Sequence, residues 1–220
     1  MTYFESSFIT IISLSAPLVF VVIGETITER SGVVNLSVEG TILITALTAF
    51  AVAVSTNNAS LGVLSAGLIG SFIALIIVLC DIKLSMNQIA VGFVLTILCG
   101  KLSSFLGQNF VRIPGPSLPK VDFPILKDIP YIGPSLFNQN ILVLLSVLLI
   151  PTAWFFLYRT RFGLNLRSVG ENPTSSMSRG INPEHMRILG TLIGGFLIGV
   201  GGAAFSLHAK YGWSEGHTGN

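Results

Sequence analysis

The sequence predicts an all-α polytopic membrane protein of about six transmembrane helices, with a broken segment between the first two. Three observations carry that prediction. Charge is scarce: 12 Lys and Arg with 10 Asp and Glu amount to 10% of 220 residues, where a soluble domain has about a quarter. Apolar types make up 51% of the chain, and the mean hydropathy is +0.78. The charges are also clumped, so that none falls between residues 40 and 80, 84 and 100, 129 and 158, or 188 and 209. A bilayer core takes roughly 20 apolar residues per helix. Runs of this length exclude a disordered chain and a water-soluble globule. Helix is the assignment for each, because lipid cannot satisfy open backbone groups and the period-two alternation of barrel strands is missing.

The spans follow in order. The first covers residues 6–24, with Pro17 a kink position; residues 1–5 lack the basic stretch of a cleaved signal peptide, so this run reads as a retained helix. The long uncharged run after Gly40 breaks at the polar turn Thr56, Asn57 and Asn58, which gives spans at 41–55 (a start near Asn35 stays open) and 60–80. Further spans cover 87–106, 140–158 and 188–207. Arg159, Arg161, Arg167, Arg179 and Arg187 cluster in residues 159–187, which places that segment in the cytoplasm. Residues 25–34 and 81–86 then share the cytoplasmic side, and the 107–139 loop and both termini face outward.

The outer loop, 107–139, holds six of the ten prolines, interleaved with Phe110, Phe123, Tyr131 and Phe137. Proline favours stiff extended chain and turns, so this loop reads as a semi-rigid cover, serving either as a connector or as a docking rim. Gly62, Ala66 and Gly70, and the glycines from Gly190 to Gly202, read as close helix packing. Cys80 and Cys99 read as buried thiols. A net charge of +2 without a basic stripe or tail excludes nucleic acid as a partner.

Two segments carry the functional signal. In the first, Glu25, Glu29 and Glu39 surround Gly32 and Asn35 between two apolar helices. Broken helices in transporters bring unpaired backbone groups and helix N-termini to a polar cavity. Asn35 suits an N-cap, with Glu39 in the first helical turn, where the helix dipole favours an acid. Glu39 accordingly has two readings, a cavity-lining carboxylate or a stabiliser of the helix start. In the second segment, Asn172 suits an N-cap, Pro173 the first helical position and Gly180 the stop beyond Arg179. This predicts a helix of about two turns, either a rigid cytoplasmic knob or a surface connector.

No catalytic or metal-binding constellation emerges. Lys101 reads as a snorkelling side chain in preference to an ion-coupling group. Gly100 and Lys101 are flanked by Leu95 and Leu102 where a phosphate loop needs Gly and Ser or Thr. His185, His208 and His217 lie outside the spans without metal spacing.

Taken together, Ala16-Pro17-Leu18, Gly24-Glu25, the run from Glu29 through Gly32 and Asn35 to Gly40, Asn87-Gln88-Ile89, Arg161-Phe162-Gly163-Leu164, Gly170-Glu171-Asn172-Pro173 and Gly180-Ile181 resemble the membrane permease subunits of ABC importers for nucleosides and simple sugars, relatives of the ribose and branched-chain amino acid permeases. The resemblance runs through the whole chain in the same order. It implies one permease domain over 1–220 in the cytoplasmic membrane. Asn35, Ser37, Glu39 and Gly40 would border the substrate pathway. Within the coupling loop 159–187, Gly170, Glu171, Asn172, Pro173, Arg179 and Gly180 would form the coupling helix and its ends. Implied partners are a separate ABC ATPase subunit, which would bring ATP and Mg, a second permease chain, and an extracytoplasmic substrate-binding lipoprotein. No cofactor would bind to this chain. Branched-chain amino acids are the alternative substrate class, and an ion-coupled carrier using Glu25, Glu39 or Lys101 is the alternative mechanism. The sequence departs from the family in two places: it stops at Asn220, where relatives continue into further spans, implying an incomplete C-terminus; and Ser175, Ser176 and Ser178 stand where alanines are frequent.

Overall fold

A computed structural model describes residues 3–111, 113, 140–209 and 213–214. Its helices are α1 (Tyr3–Arg30), α2 (Val38–Thr56), α3 (Ala59–Leu84), α4 (Gln88–Gly107), α5 (Ile141–Arg159), α6 (Arg161–Glu171), α7 (Pro173–Ser178) and α8 (Pro183–Ala204). A short 3-10 turn follows α4 and a π turn, Phe205–Ala209, follows α8. Six of these helices are long and apolar enough to cross a membrane, at Thr10–Arg30, Val38–Thr56, Ala59–Leu84, Gln88–Phe110, Ile141–Arg159 and Pro183–Ala209. The all-α polytopic fold is therefore as the sequence predicts.

The helix starts follow local chemistry. The Asn58 side chain accepts the Ser60 N–H at 3.0 Å, Asn87 accepts Ile89 N–H at 2.9 Å, and Asn182 accepts His185 N–H at 3.2 Å. Each satisfies an orphan donor at a helix N-terminus. Between α2 and α3, Asn57 adopts φ 52°, the left-handed conformation that Asn tolerates best among non-glycine residues.

Two boundaries differ from expectation and one helix is added. The first helix continues past Gly24 to Arg30, so residues 25–30 are helix and the break shrinks to 31–37. Likewise α3 runs through Asp81 and Lys83 to Leu84, ending where Ser85 turns left-handed. Charged residues at an interface can stay helical because headgroups and water solvate their side chains while the backbone bonds continue. The chain after α5 also forms an additional helix, α6, which buries Gly163, Leu166 and Val169 and exposes Arg161 and Leu164. Most of the 107–139 loop lies outside the described residues.

At the centre, α8 packs against α1, α2 and α3, while α4 lies on α2 and α5 on α1. Small residues set these distances. A Cβ added at Gly70 would strike the Gly195 carbonyl and lie 2.9 Å from the Gly199 Cα, and one at Gly194 would come within 2.5 Å of the Gly24 carbonyl. Close backbone approach of this kind is how helices gain dispersion contacts in lipid, where no hydrophobic drive holds them together. Phe72, Phe93, Phe105, Trp154 and Phe155 point outward and supply a lipid-facing surface. Cys99 is buried and Cys80 half-buried, both free thiols.

Candidate translocation site and coupling surface

The chain leaves α1 through a turn at Ser31 and Gly32. Gly32 has φ +86°, which a side chain would strain. Residues 33–37 are not helical, so their backbone groups need other partners, and lipid offers none. Val33 N–H returns to the Thr28 carbonyl at 3.3 Å. Val34 N–H donates to Gln88 Oε1 at 2.7 Å, and Asn35 N–H to Glu25 Oε1 at 3.1 Å. The Leu36 carbonyl accepts the Thr96 hydroxyl at 2.7 Å. Asn35 Oδ1 accepts both the N–H of Ser37 at 2.9 Å and its hydroxyl at 2.7 Å. The break is thus a hydrogen-bonded knot held by α1 and α4.

Of the residues singled out in the sequence, Asn35 and Ser37 sit inside this knot, 3% and 0% exposed. Gly40 lies against α4, where a Cβ would come within 2.5 Å of the Thr96 carbonyl. Glu39 is exposed in the first turn of α2. The expected N-cap at Asn35 is corrected: α2 starts at Val38, its N-cap position is Ser37, and no side chain caps it. Asn35 instead bonds forward to Ser37 in an Asx turn, a local competitor of capping.

On the same side of the spans, α6 and α7 form a second unit. The Asn172 N–H ends α6 by donating to the Ser168 carbonyl at 3.0 Å, and its Oδ1 begins α7 by accepting Ser175 N–H at 3.0 Å. Pro173 occupies the first turn of α7. At the other end Gly180, at φ +80°, donates to the Met177 carbonyl at 2.9 Å, and Ile181 N–H donates to the Ser176 carbonyl at 3.1 Å. This pair of bonds is a Schellman stop, with Arg179 at the C-cap. The Ser168 and Ser176 hydroxyls meet at 2.7 Å and pin the two helices together. Between them lies a polar hollow of about 320 Å³ lined by Arg167, Ser168, Glu171, Asn172, Ser175 and Arg179, among others. Leu164 and Met177 stand exposed nearby, at 59% and 63%.

Gly170 faces away from that hollow. It presses on the α1 end, where a Cβ would strike the Arg30 carbonyl. The sequence marked Arg187 only within the basic cluster and not as a partner of the break; its guanidinium pairs with Asp81 at 2.6 Å and donates to the Gly32 carbonyl at 2.9 Å. Nor did it single out Gln88 and Thr96 as partners of the break. Their positions at one end of adjacent spans were readable, but their pairing depends on the tertiary arrangement. His208, placed outside the sixth span in the sequence reading, falls within its π turn, buried beside Ser13 Oγ at 2.9 Å.

The branched-chain amino acid transport system / permease component family matches residues 7–219 of the chain. This chain belongs to that permease family. It is 36% identical over 200 residues to a Haloferax volcanii protein provisionally named a glucose ABC transporter permease, covering 89% of this chain and 61% of that one. It is 34% identical over 203 residues to the nucleoside ABC transporter permease of Lactococcus lactis (87% and 64% covered). It is 32% identical over 205 residues to the guanosine ABC transporter permease of Bacillus subtilis (87% and 64% covered). The chain therefore spans a little under two thirds of the length of these relatives. No solved structure matches it. The permease is a multi-pass cell-membrane protein.

Proposed function

We propose that this permease is the transmembrane subunit of an ABC importer that moves nucleosides or simple sugars by alternating access. The observation that carries the reading is α7, a doubly capped helix held on α6, with Met177 exposed beside a polar hollow. A short helix with fixed ends and an exposed apolar tip is suited to docking into another protein and transmitting its movement as a rigid body. The names of the relatives in Lactococcus, Bacillus and Haloferax support the substrate class.

In this reading Gly170, Glu171, Asn172, Pro173, Arg179 and Gly180 form the ATPase-coupling surface, and the energy comes from ATP and Mg held by that separate subunit. Asn35, Ser37, Glu39 and Gly40 border the pathway, with Glu39 as the exposed carboxylate beside the break. A second permease chain completes the pathway, and an extracytoplasmic binding protein delivers substrate to the outer face. Branched-chain amino acids are a second substrate reading, favoured by the description of the family.

The test replaces residues 171–179 by a Gly/Ser linker and measures co-purification of the ATPase with the membrane-inserted permease. Loss of association with normal insertion is the expected result. Undiminished ATPase binding overturns the coupling assignment. Uptake of labelled guanosine, glucose and leucine in cells, with and without ATP depletion, then separates the substrate classes and an ion-driven carrier.

A further inference from the structure

We propose that Arg187 is a positioning residue that fixes the α1–α2 turn to the coupling module, so that movement of α6, α7 and the start of α8 is passed directly to the broken segment. This rests on the reading of the chain as an ATP-driven permease.

The turn is gripped from two sides. On one side, Arg187 Nη2 donates to the Gly32 carbonyl at 2.9 Å while pairing with Asp81 Oδ2 at 2.6 Å. On the other, Gly170 of α6 lies against the turn so closely that a Cβ there would come within 3.0 Å of Gly32 N and would strike the Arg30 carbonyl. The turn between them is stiff. Ser31 N–H and Gly32 N–H return to the carbonyls of Thr28 and Glu29 at 3.0 and 2.9 Å, and the Ser31 hydroxyl bonds the Thr28 carbonyl at 2.6 Å. Asn35, the centre of the bonded knot, follows three residues later.

Two ion pairs join α3 to the start of α8, and their burial distinguishes them. Lys83 and Glu184 meet at 3.1 Å with side chains 63% and 58% exposed, a setting in which an ion pair contributes little. Asp81 and Arg187 are 18% and 19% exposed, so losing one partner leaves a desolvated charge behind. Only Arg187 of these four also reaches the broken segment. Asp81 balances the guanidinium charge, and the bond to Gly32 makes the connection.

Spin labels at Val34→Cys and Ser175→Cys, in a Cys80→Ser, Cys99→Ala background, report the distance across this joint in the purified full chain. The parent gives one narrow distribution. Arg187→Gln broadens it, Gly170→Ala shifts it from the opposite side, and Asp81→Asn, which keeps an oxygen facing the guanidinium and leaves the Gly32 bond possible, has a smaller effect than Arg187→Gln. Unchanged distributions in both Arg187→Gln and Gly170→Ala overturn the proposal, as does an Asp81→Asn effect equal to that of Arg187→Gln. A second readout uses the permease with its co-purified ATPase. Addition of ATP and vanadate changes maleimide labelling of Glu39→Cys at least threefold in the parent, and this response is lost in Arg187→Gln while ATPase binding remains. A retained response overturns the positioning role. Failure of any ATPase to co-purify refutes the importer reading instead, and the distance measurement still decides whether Arg187 holds the turn.

Discussion

Gln88 and Val34, 54 residues apart, are joined by a hydrogen bond of 2.7 Å in which the Val34 N–H donates to the Gln88 side chain. Gln88 opens α4, and about two turns later Thr96 donates to the Leu36 carbonyl. The two side chains fasten the non-helical segment to one face of α4. Replacing Gln88 by Leu leaves the Val34 N–H without that acceptor, at a cost of about 1 kcal/mol since the site is exposed to some solvent. Gln88→Glu keeps an acceptor and is expected to stay near the parent. Thermal unfolding of the detergent-solubilised chain checks the difference.

Asn35 accepts two bonds from Ser37 while its own N–H is held by Glu25. Asn35→Ala is expected to destabilise by about 2–3 kcal/mol, the loss of two acceptor contacts at a buried site. Asn35→Ser, which keeps a neutral acceptor oxygen, is expected to recover part of that loss. Equal effects of the two substitutions would mean that shape and not hydrogen bonding matters there.

Asn172 serves two helices at once, and Asn172→Ala is expected to lower stability by about 1 kcal/mol, the usual value of an N-cap. The larger effect is expected on ATPase association, because a frayed α7 must be ordered before it docks. Titration of the ATPase against parent and variant permease in nanodiscs measures it. A variant that binds as tightly as the parent would separate α7 order from docking.

Gly180 and Gly70 offer a contrast between two reasons for glycine. At Gly180 no atom lies within 4 Å of an added Cβ and only the positive φ is unfavourable, so Gly180→Ala is expected to cost about 1 kcal/mol. At Gly70 the added atom would strike the backbone of α8. Gly70→Leu is expected to abolish folded, monodisperse protein. Fluorescence-detected size exclusion distinguishes the two outcomes.

Several of these features were legible in the residues themselves. The uncharged runs marked six spans, and Asn172, Pro173 and Gly180 marked both ends of α7, because span length and helix punctuation are local properties. The α1–α2 break was visible through Gly32 and Asn35, but its extent was not: Glu25 and Glu29 look like loop residues, although the helix carries them to Arg30. The N-cap of α2 was misplaced by two residues because Asn35 bonds forward to Ser37. Helix α6 was missed since its apolar face, with Gly163, Leu166 and Val169, is narrow and short. Partners such as Gln88, Thr96 and Arg187 depend on which spans are neighbours, and no periodicity within one segment records that.

The packing of α1 on α8 has a consequence for biosynthesis. Ser13 meets His208 across 195 positions of chain, which at translation rates of 5–20 residues per second corresponds to roughly 10–40 s. Through that interval the nascent α1 must reside in the bilayer before its principal neighbour has left the ribosome. Three of its hydroxyls are already provided for: Ser15, Thr26 and Thr28 each bond a carbonyl four residues back in the same helix. The first helix can therefore wait in lipid with these three hydroxyls satisfied, and the glycine face of α8 packs on it when it arrives.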